Sequence, residues 1–283
     1  MILITGATSG VGKATAMALA KPQNHLFLVA RNARKGEILK KEILAMAPQA
    51  QISLLYADLA LLRETRELAT AFKTQSHTLD VLINCAGLVS SSRVETEEGI
   101  EQTLAVNYLS HYLLSHLLVD ALKRSPQGRV INVASLIPPM AKVNFADIHS
   151  KQQYNGVAAY LQSKVADVMF TYDLAEQLKN SRVTVNAVHP GIVKTNLGLE
   201  TSRGALQAFV RFCMSVIAIT PQESAQRVLF LAESDTLAGV TGKYFKGGRK
   251  PVNTNAFSYD PGHREKLRQM THELAGPVDD TSK

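Results

Sequence analysis

Several features that would assign a protein to a special class are scarce or missing in this sequence of 283 residues. It has no tryptophan and only two cysteines, Cys85 and Cys213, too few for a disulfide scaffold or a four-thiolate metal site. The longest late apolar stretch, residues 212–219, is well short of the roughly 20 residues of a membrane-spanning helix. Charged residues reach only 19% against 46% hydrophobic residues, which excludes disorder over most of the chain. We therefore expect a cytoplasmic globular protein with reduced thiols, no transmembrane segment and no metal site.

The net charge of +7, with an isoelectric point near 9.4, is compatible with nucleic acid, an anionic membrane or a polyanionic small molecule as partner. Apart from a modest cluster in residues 31–41, the basic residues are scattered, and no aromatic-basic RNA motif accompanies them. We expect no nucleic-acid partner.

Short aliphatic runs alternate with longer helical patterns through most of the chain. Runs such as VLIN are continuously apolar, as expected for strands of a parallel sheet that helices cover on both faces. The pattern predicts an α/β fold, a single-domain Rossmann-type doubly wound parallel sheet of about seven strands. The domain should cover residues 1–275, and residues 276–283 form a polar tail. The predicted strands are 2–5, 26–30, 52–56, 81–84, 129–134, 183–188 and 243–245, and the predicted helices are 13–20, 33–46, 60–72, 96–123, 158–178, 221–234 and 261–274.

A glycine-rich turn, TGATSGVG at residues 5–12, lies between the first predicted strand and the first predicted helix. Glycines let a backbone turn tightly and approach a pyrophosphate, and the following helix N-terminus favours the anion. A Walker A loop is excluded, because Lys13 is followed by Ala14 and Ala7 stands where that loop needs a glycine. The turn predicts a dinucleotide site, although its glycine spacing differs from the usual fingerprint.

The second predicted strand ends about 20 residues after the last glycine of this turn, where dinucleotide-binding folds place their ribose reader. An acidic residue there would accept a hydrogen bond from the 2′-hydroxyl and repel a 2′-phosphate. This chain has Arg31 and Asn32 instead. A guanidinium pairs bidentately with phosphate and stacks on adenine, so the sequence predicts NADP rather than NAD.

One of the eight tyrosines, Tyr160, has a lysine four residues later, Lys164. Residues four apart share a helix face, and a neighbouring ammonium favours the phenolate that acid–base catalysis requires. The pair gains weight from Ser135, which ends the predicted strand RVINVA, because ligands of doubly wound sheets bind beyond the carboxyl ends of strands.

Together these motifs resemble the classical short-chain dehydrogenases/reductases over about residues 1–250. The segments around Asn107 and Tyr160 are most similar to the retinol dehydrogenase-like branch, which also includes protochlorophyllide reductases. In chain order, the matching features are TGATSGVG, Asp58, Asn84-Cys85-Ala86-Gly87, Asn107, Ser135, Tyr160-x-x-x-Lys164 and His189-Pro190-Gly191.

The resemblance implies a catalytic role for four residues. Tyr160 would be the general acid in carbonyl reduction or the base in alcohol oxidation. Lys164 would favour its phenolate and bind the nicotinamide ribose, and Ser135 would hydrogen-bond the substrate oxygen. Asn107 would hold a helix kink and a water that links Lys164 to a proton relay.

The resemblance also implies the contacts of the cofactor and a substrate lid. Residues 194–220 would form the lid, and the Phe, Met and Ile content there suggests a lipophilic substrate and allows weak contact with a membrane surface. The implied cofactor contacts are Gly6, Ser9, Gly10, Val11 and Gly12 at the pyrophosphate; Asp58 and Leu59 at the adenine; Asn84, Ala86 and Gly87 at the adenosine ribose; and Pro190, Gly191, Val193 and Thr195 at the nicotinamide, beside Arg31, Asn32, Tyr160 and Lys164.

Three further residues are interpreted as packing residues. His111 and His116 are five residues apart, on different helix faces, and no carboxylate completes a metal set. Cys85 is interpreted as a small packed side chain rather than a nucleophile.

We expect an NADP(H)-dependent oxidoreductase, monomeric or homodimeric, that interconverts a lipophilic alcohol and its aldehyde or ketone. Two alternatives stay open at this point: a biosynthetic ketoreductase acting on a polyketide- or steroid-like ring, and a non-catalytic NADP-sensing module.

Overall fold

The computed structural model describes residues 1–191 and 219–278. Within them, seven strands form one parallel sheet in the order β3-β2-β1-β4-β5-β6-β7. The strand order reverses direction between β1 and β4, which confirms the predicted doubly wound arrangement. The strands are β1 (Ile2–Ile4), β2 (His25–Ala30), β3 (Gln51–Tyr56), β4 (Val81–Asn84), β5 (Arg129–Val133), β6 (Thr184–His189) and β7 (Lys243–Lys246).

Helices cover both faces of this sheet. They are α1 (Gly10–Leu19), α2 (Ala33–Met46), α3 (Leu62–Gln75), α4 (Gln102–Leu104), α5 (Ser110–Leu117), α6 (Val119–Arg124), α7 (Gly156–Gln177), α8 (Pro221–Glu233), α9 (Ala256–Tyr259) and α10 (Pro261–Ala275), with a π-helical turn at Ala105–Leu109 and a 3₁₀ turn at Asp235–Leu237.

The sheet separates two hydrophobic cores. On β1, Ile2 and Ile4 belong to the core under α1, α2 and α8, whereas Leu3 belongs to the core under α3, α5 and α7. Successive side chains of a strand point to opposite faces, so this three-residue strand contributes to both cores. The continuously apolar strands of the sequence are thereby explained.

The prediction of one continuous helix over residues 96–123 is wrong in two respects: the helix begins later than predicted, and it is interrupted. The helix begins at Gln102, because the carboxylate of Glu101 caps the amides of Thr103 and Leu104. A π-helical turn follows at Ala105–Leu109, and the chain leaves helical geometry again at Leu118. The spacing of apolar residues indicates a helix in this region, but it does not indicate the π-helical turn, in which one residue is added to a turn.

The two C-terminal helices pack on α7. The ring of Tyr172 stacks on that of Tyr259 at 4.9 Å, and Arg264 forms an ion pair with Asp173 at 3.0 Å. Because both faces of α7 are covered, fourteen of its residues are buried.

No helix among residues 1–191 and 219–278 combines the length and the apolar content that crossing a bilayer requires. The predicted domain bounds, residues 1–275, stay a prediction. Residues 194–218 of the predicted lid lie outside the described residues.

The contact between Tyr108 and Thr271 ties α10 to the core. The Thr271 hydroxyl donates to the carbonyl of Leu267, so at 2.5 Å the Tyr108 hydroxyl is the donor to Thr271 Oγ1. We expect Thr271→Val to leave a buried hydroxyl without an acceptor and to lower the free energy of unfolding by about 1–3 kcal/mol in urea titrations.

Thr70→Val is the matched control, because the Thr70 hydroxyl donates to the carbonyl of Arg66 at the surface. Tyr108→Phe combined with Thr271→Val should cost less than Thr271→Val alone, since both partners are then apolar. Equal losses for the single and double variants would show that the hydrogen bond contributes nothing.

Candidate functional site

The glycine turn between β1 and α1 is closed to any side chain at two positions. A Cβ on Gly12 would lie 2.3 Å from the carbonyl oxygen of Gly6. Gly6 itself has φ +63°, and its Cβ would lie 2.8 Å from the Cα of Ala86. The two glycines therefore let the turn pack tightly on itself and on the loop after β4, and this compact backbone is called the glycine cradle. A tight turn of this kind presents the amides of the following helix to a pyrophosphate.

Thr5 joins this turn to the loop after β4. Its Oγ1 accepts from the backbone amides of Cys85 at 2.9 Å and Ala86 at 3.0 Å. Ser9 is extended and stands at the N-cap of α1, and Gly10 and Val11 open the first turn, whose amides have no partner within the helix. The turn and the loop after β4 therefore border one anion-accepting edge of the sheet.

Arg31 and Asn32 follow β2 at the same edge. The Arg31 guanidinium is 67% exposed and lies 3.9 Å from Asp58 Oδ2, a loose contact that leaves its donors accessible. Asn32 Oδ1 accepts from the amide of Lys35, so this side chain caps α2. The side chain of Leu59 is buried in the core, so a ligand at this position would contact its backbone.

The loop after β4 brings three of the predicted cofactor residues beneath the glycine turn. Asn84, the last residue of β4, is fully buried, and its amide donates to Asn132 on β5 and to Ser115 on α5, so its side chain joins β4 to both elements. Gly87 faces the centre of the site, where an added Cβ would lie 3.5 Å from Asn107 Oδ1 and 3.9 Å from Lys164 Nζ.

Ser135, Tyr160 and Lys164 are gathered at the carboxyl end of β5. Ser135 follows this strand, and the Lys164 ammonium reaches it from α7 to donate to the carbonyl of Val133 at 2.8 Å. Tyr160 is one helical turn before Lys164 and keeps part of its surface accessible. On the other side, the Tyr244 hydroxyl donates to the carbonyl of Ser135 at 2.8 Å.

Asn107 lies in the π-helical turn, directed at the loop after β4. Its Oδ1 accepts from the amide of Leu88 at 2.8 Å, and its amide donates to the Leu88 carbonyl and to Ser163 Oγ. The side chain is therefore occupied in holding the loop against α7. π-Helical turns are often found at functional sites, and this one accounts for the kink implied by the resemblance.

The segment after β6 begins on the same edge. Gly191 has φ +100°, and a Cβ there would collide with Ile219 and Arg227. The pKa of His189 is lowered to about 4 by desolvation and by the nearby Arg227 and Lys246. Pro190 and Gly191 are described, whereas the predicted contacts Val193 and Thr195 lie outside the described residues.

The model of the short chain dehydrogenase family matches residues 1–205 of this chain. The chain belongs to the short-chain dehydrogenase family. Among curated relatives, retinol dehydrogenase 13 of Mus musculus is 37% identical over 254 residues, which cover 88% of this chain and 76% of the relative. Retinol dehydrogenase 14 of Homo sapiens is 36% identical over 292 residues, covering 97% and 86% of the two chains.

A solved structure from Beutenbergia cavernae, an NAD(P)-dependent protein by its description and holding NADP at low occupancy, superposes with a TM-score of 0.68. It is 28% identical, with coverage of 88% of this chain and 95% of the other. The chain is therefore a short-chain dehydrogenase of the retinol dehydrogenase-like branch, a family of NAD(P) oxidoreductases.

Sequence reasoning missed three side chains that contact this site. His111, interpreted as a packing residue, is fully buried and contacts Asp167 at 3.0 Å and the carbonyl of Ala86 at 3.0 Å. Asp167 follows Lys164 by three residues, a spacing that places both on one helix face and could have signalled the contact. Tyr244 is far from Ser135 in the sequence, so no spacing indicates that the two residues are in contact.

The surroundings of Cys85 agree with its interpretation as a packed side chain. Desolvation raises the pKa of the Cys85 thiol to about 12, against the opposing charge of Lys164, which argues against a nucleophile. Within the part of the chain that the structure describes, no three His, Cys, Asp or Glu side chains cluster to hold a metal ion.

The glycine cradle can be tested at Gly12. Alanine normally favours a helix over glycine by about 1 kcal/mol, but here its methyl would meet the Gly6 carbonyl. We expect Gly12→Ala to destabilise the protein by about 1–3 kcal/mol and to abolish dinucleotide binding, measured by thermal unfolding and calorimetry.

Gly248→Ala is the control, because the nearest heavy atom to its added methyl is 4.0 Å away. A Gly12→Ala protein that binds dinucleotide normally would contradict the cradle.

Proposed function

We propose that this protein is an NADP(H)-dependent oxidoreductase that interconverts a lipophilic alcohol and its aldehyde or ketone, with Tyr160 as general acid and base. The observation that carries the proposal is the buried ammonium of Lys164, held at the end of β5 one helical turn from Tyr160. A fixed cation beside a partly accessible phenol favours the phenolate and makes proton exchange with a substrate oxygen feasible.

The described residues fit a bound dinucleotide. The glycine cradle at Gly6 and Gly12 makes the turn before α1 compact, and the amides of the first turn of α1 supply donors for a pyrophosphate. When bound, the nicotinamide supplies or accepts the hydride. The chain's own residues orient the substrate oxygen and move its proton.

In carbonyl reduction, the Tyr160 hydroxyl would donate its proton to the substrate oxygen, and in alcohol oxidation the phenolate would accept it. The Ser135 hydroxyl would donate to the same oxygen and stabilise the charge that develops there. Tyr244 supports this role, because its hydrogen bond to the Ser135 carbonyl fixes the backbone of the serine.

NADP is proposed over NAD on the evidence of Arg31. Its guanidinium is exposed at the carboxyl end of β2, where it can meet a 2′-phosphate, and its contact with Asp58 is long. The neighbour from Beutenbergia cavernae holds NADP, which supports the same assignment.

The lipophilic substrate is proposed from the relatives, which are retinol dehydrogenases, and from the apolar residues predicted for the lid. A ketoreductase acting on a ring system remains the second enzymatic candidate. Initial rates of NADPH oxidation with retinal, alkyl and aryl aldehydes, steroids and cyclic ketones separate the two. The cytoplasmic location and the oligomeric state stay predictions.

Replacing the phenol tests the chemistry. We expect Tyr160→Phe to reduce turnover by about a hundred- to ten-thousand-fold, because no other group then exchanges the proton, while NADPH affinity is retained. Steady-state kinetics with retinal and fluorescence titration of NADPH measure the two effects.

Tyr56→Phe is the control at an exposed tyrosine on β3. Normal turnover by Tyr160→Phe would refute the mechanism. Absence of turnover by the wild-type protein with every substrate of the panel would instead favour a role without catalysis.

Replacing Arg31 tests the cofactor. We expect Arg31→Asp to lower the preference for NADPH over NADH by about 10- to 100-fold, the effect of losing one hydrogen bond to a charged group. The ratio of kcat/KM for the two cofactors measures it. Lys41→Asp makes the same charge change at an exposed position further along α2 and should leave the ratio unaltered. An unchanged ratio in Arg31→Asp would place recognition of the 2′-phosphate elsewhere.

A further inference from the structure

His111 and Asp167 form a buried pair behind the candidate catalytic residues. His111 on α5 and Asp167 on α7 are both fully buried, and His111 Nδ1 lies 3.0 Å from Asp167 Oδ1. The other ring nitrogen, Nε2, lies 3.0 Å from the carbonyl oxygen of Ala86. The pair therefore connects α7 to the loop that borders the glycine turn.

The partners of the ring fix how many protons the pair carries. A backbone carbonyl only accepts hydrogen bonds, so Nε2 of His111 carries a proton that it donates to Ala86. A second proton must lie between Nδ1 and Asp167 Oδ1, because a bare nitrogen lone pair and a carboxylate oxygen repel each other at 3.0 Å. Whether that proton is on the ring or on the carboxyl group, the pair as a whole is neutral.

Asp167 also faces Lys164. Its Oδ2 lies 3.7 Å from the ammonium and accepts no hydrogen bond from any residue that the structure describes. Without the proton shared with His111, a full negative charge would stand beside the ammonium, and both groups are buried. With this shared proton, the net charge of His111, Asp167 and Lys164 together is that of Lys164 alone.

The other titratable groups that face this cluster belong to three elements. Cys85 lies in the loop after β4, Tyr108 in the π-helical turn and Tyr244 on β7 beside Tyr160. Desolvation raises the pKa of each, so all three are neutral near physiological pH. These three groups therefore add no charge to that of His111, Asp167 and Lys164.

We propose that His111 and Asp167 are positioning residues for the reaction: they hold the ammonium of Lys164 in place and, by sharing a proton, leave its positive charge undiminished at Tyr160. The proposal rests on the proposed function of Tyr160 and Lys164. It adds a requirement on α5, which touches neither the reacting atoms nor the cofactor.

His111→Gln tests this proposal, because the glutamine amide nitrogen can replace Nε2 as the donor to the Ala86 carbonyl, whereas glutamine cannot hold the proton that is shared with Asp167. The net charge beside Tyr160 falls from +1 to zero, so its phenolate is less favoured. We expect the inflection in the pH profile of kcat for alcohol oxidation to move upward by about one pH unit or more, with about a tenfold lower kcat at neutral pH.

Asp167→Asn in the His111→Gln background removes the uncompensated carboxylate. The double variant should therefore return the inflection toward the wild-type pH, a rescue that a purely structural role of His111 would not produce. His116→Gln is the matched control on the same helix, because His116 contacts the carbonyl of Tyr112 instead of this cluster. An unmoved inflection in His111→Gln, or no rescue by the second substitution, would overturn the proposal.

Histidine ¹⁵N spectra of the wild-type enzyme provide a second measurement that depends on no variant. The His111 ring should keep one protonation state across the pH range of activity, and release of a proton within that range would overturn the proposal. Normal turnover by Tyr160→Phe would instead refute the proposed function, so the two failures are distinguishable.

Discussion

The buried ammonium of Lys164 is the constraint on which the arrangement of the site depends. Taking a charge out of water costs several kcal/mol unless polar partners replace the lost hydration. Here the partners are the carbonyl of Val133 at the end of β5 and the carboxylate of Asp167 on α7. The hydrogen bond to Val133 fixes α7 against the carboxyl edge of the sheet. The carboxylate of Asp167 requires His111 to balance its negative charge.

Much of the fold was predictable from the sequence, because its signals are local. Most strands are short runs rich in apolar residues, and α2, α7 and α10 begin at the side-chain caps Asn32, Asn155 and Asp260. The glycine turn could also be predicted, since strand, glycines and helix follow one another directly. Ser135, Tyr160 and Lys164 come together because a parallel sheet brings the carboxyl ends of its strands to one edge.

The rest could not be predicted, because it depends on contacts between distant residues or on small changes in helix geometry. His111 meets Asp167 across 56 positions and Tyr244 meets Ser135 across 109, so no spacing in the sequence links them. The π-helical turn around Asn107 adds one residue to a turn without changing the apolar pattern. The hydrogen bonds of the Asn84 side chain to Ser115 and Asn132 likewise join residues that are 31 and 48 positions apart.

The C-terminal helices explain how α7 can carry proton-handling groups with a fixed geometry. The family model ends at residue 205, but α9 and α10 cover the face of α7 that the sheet leaves free. Tyr259 stacks on Tyr172, and Arg264 and Arg268 approach Asp173, whose pKa is raised because burial outweighs the two cations. These contacts hold the second half of the helix, while Tyr160 and Lys164 lie in the first half. Since a helix packed on both sides cannot rotate without losing one set of contacts, the segment beyond the family model helps to keep Tyr160 and Lys164 in register with β5.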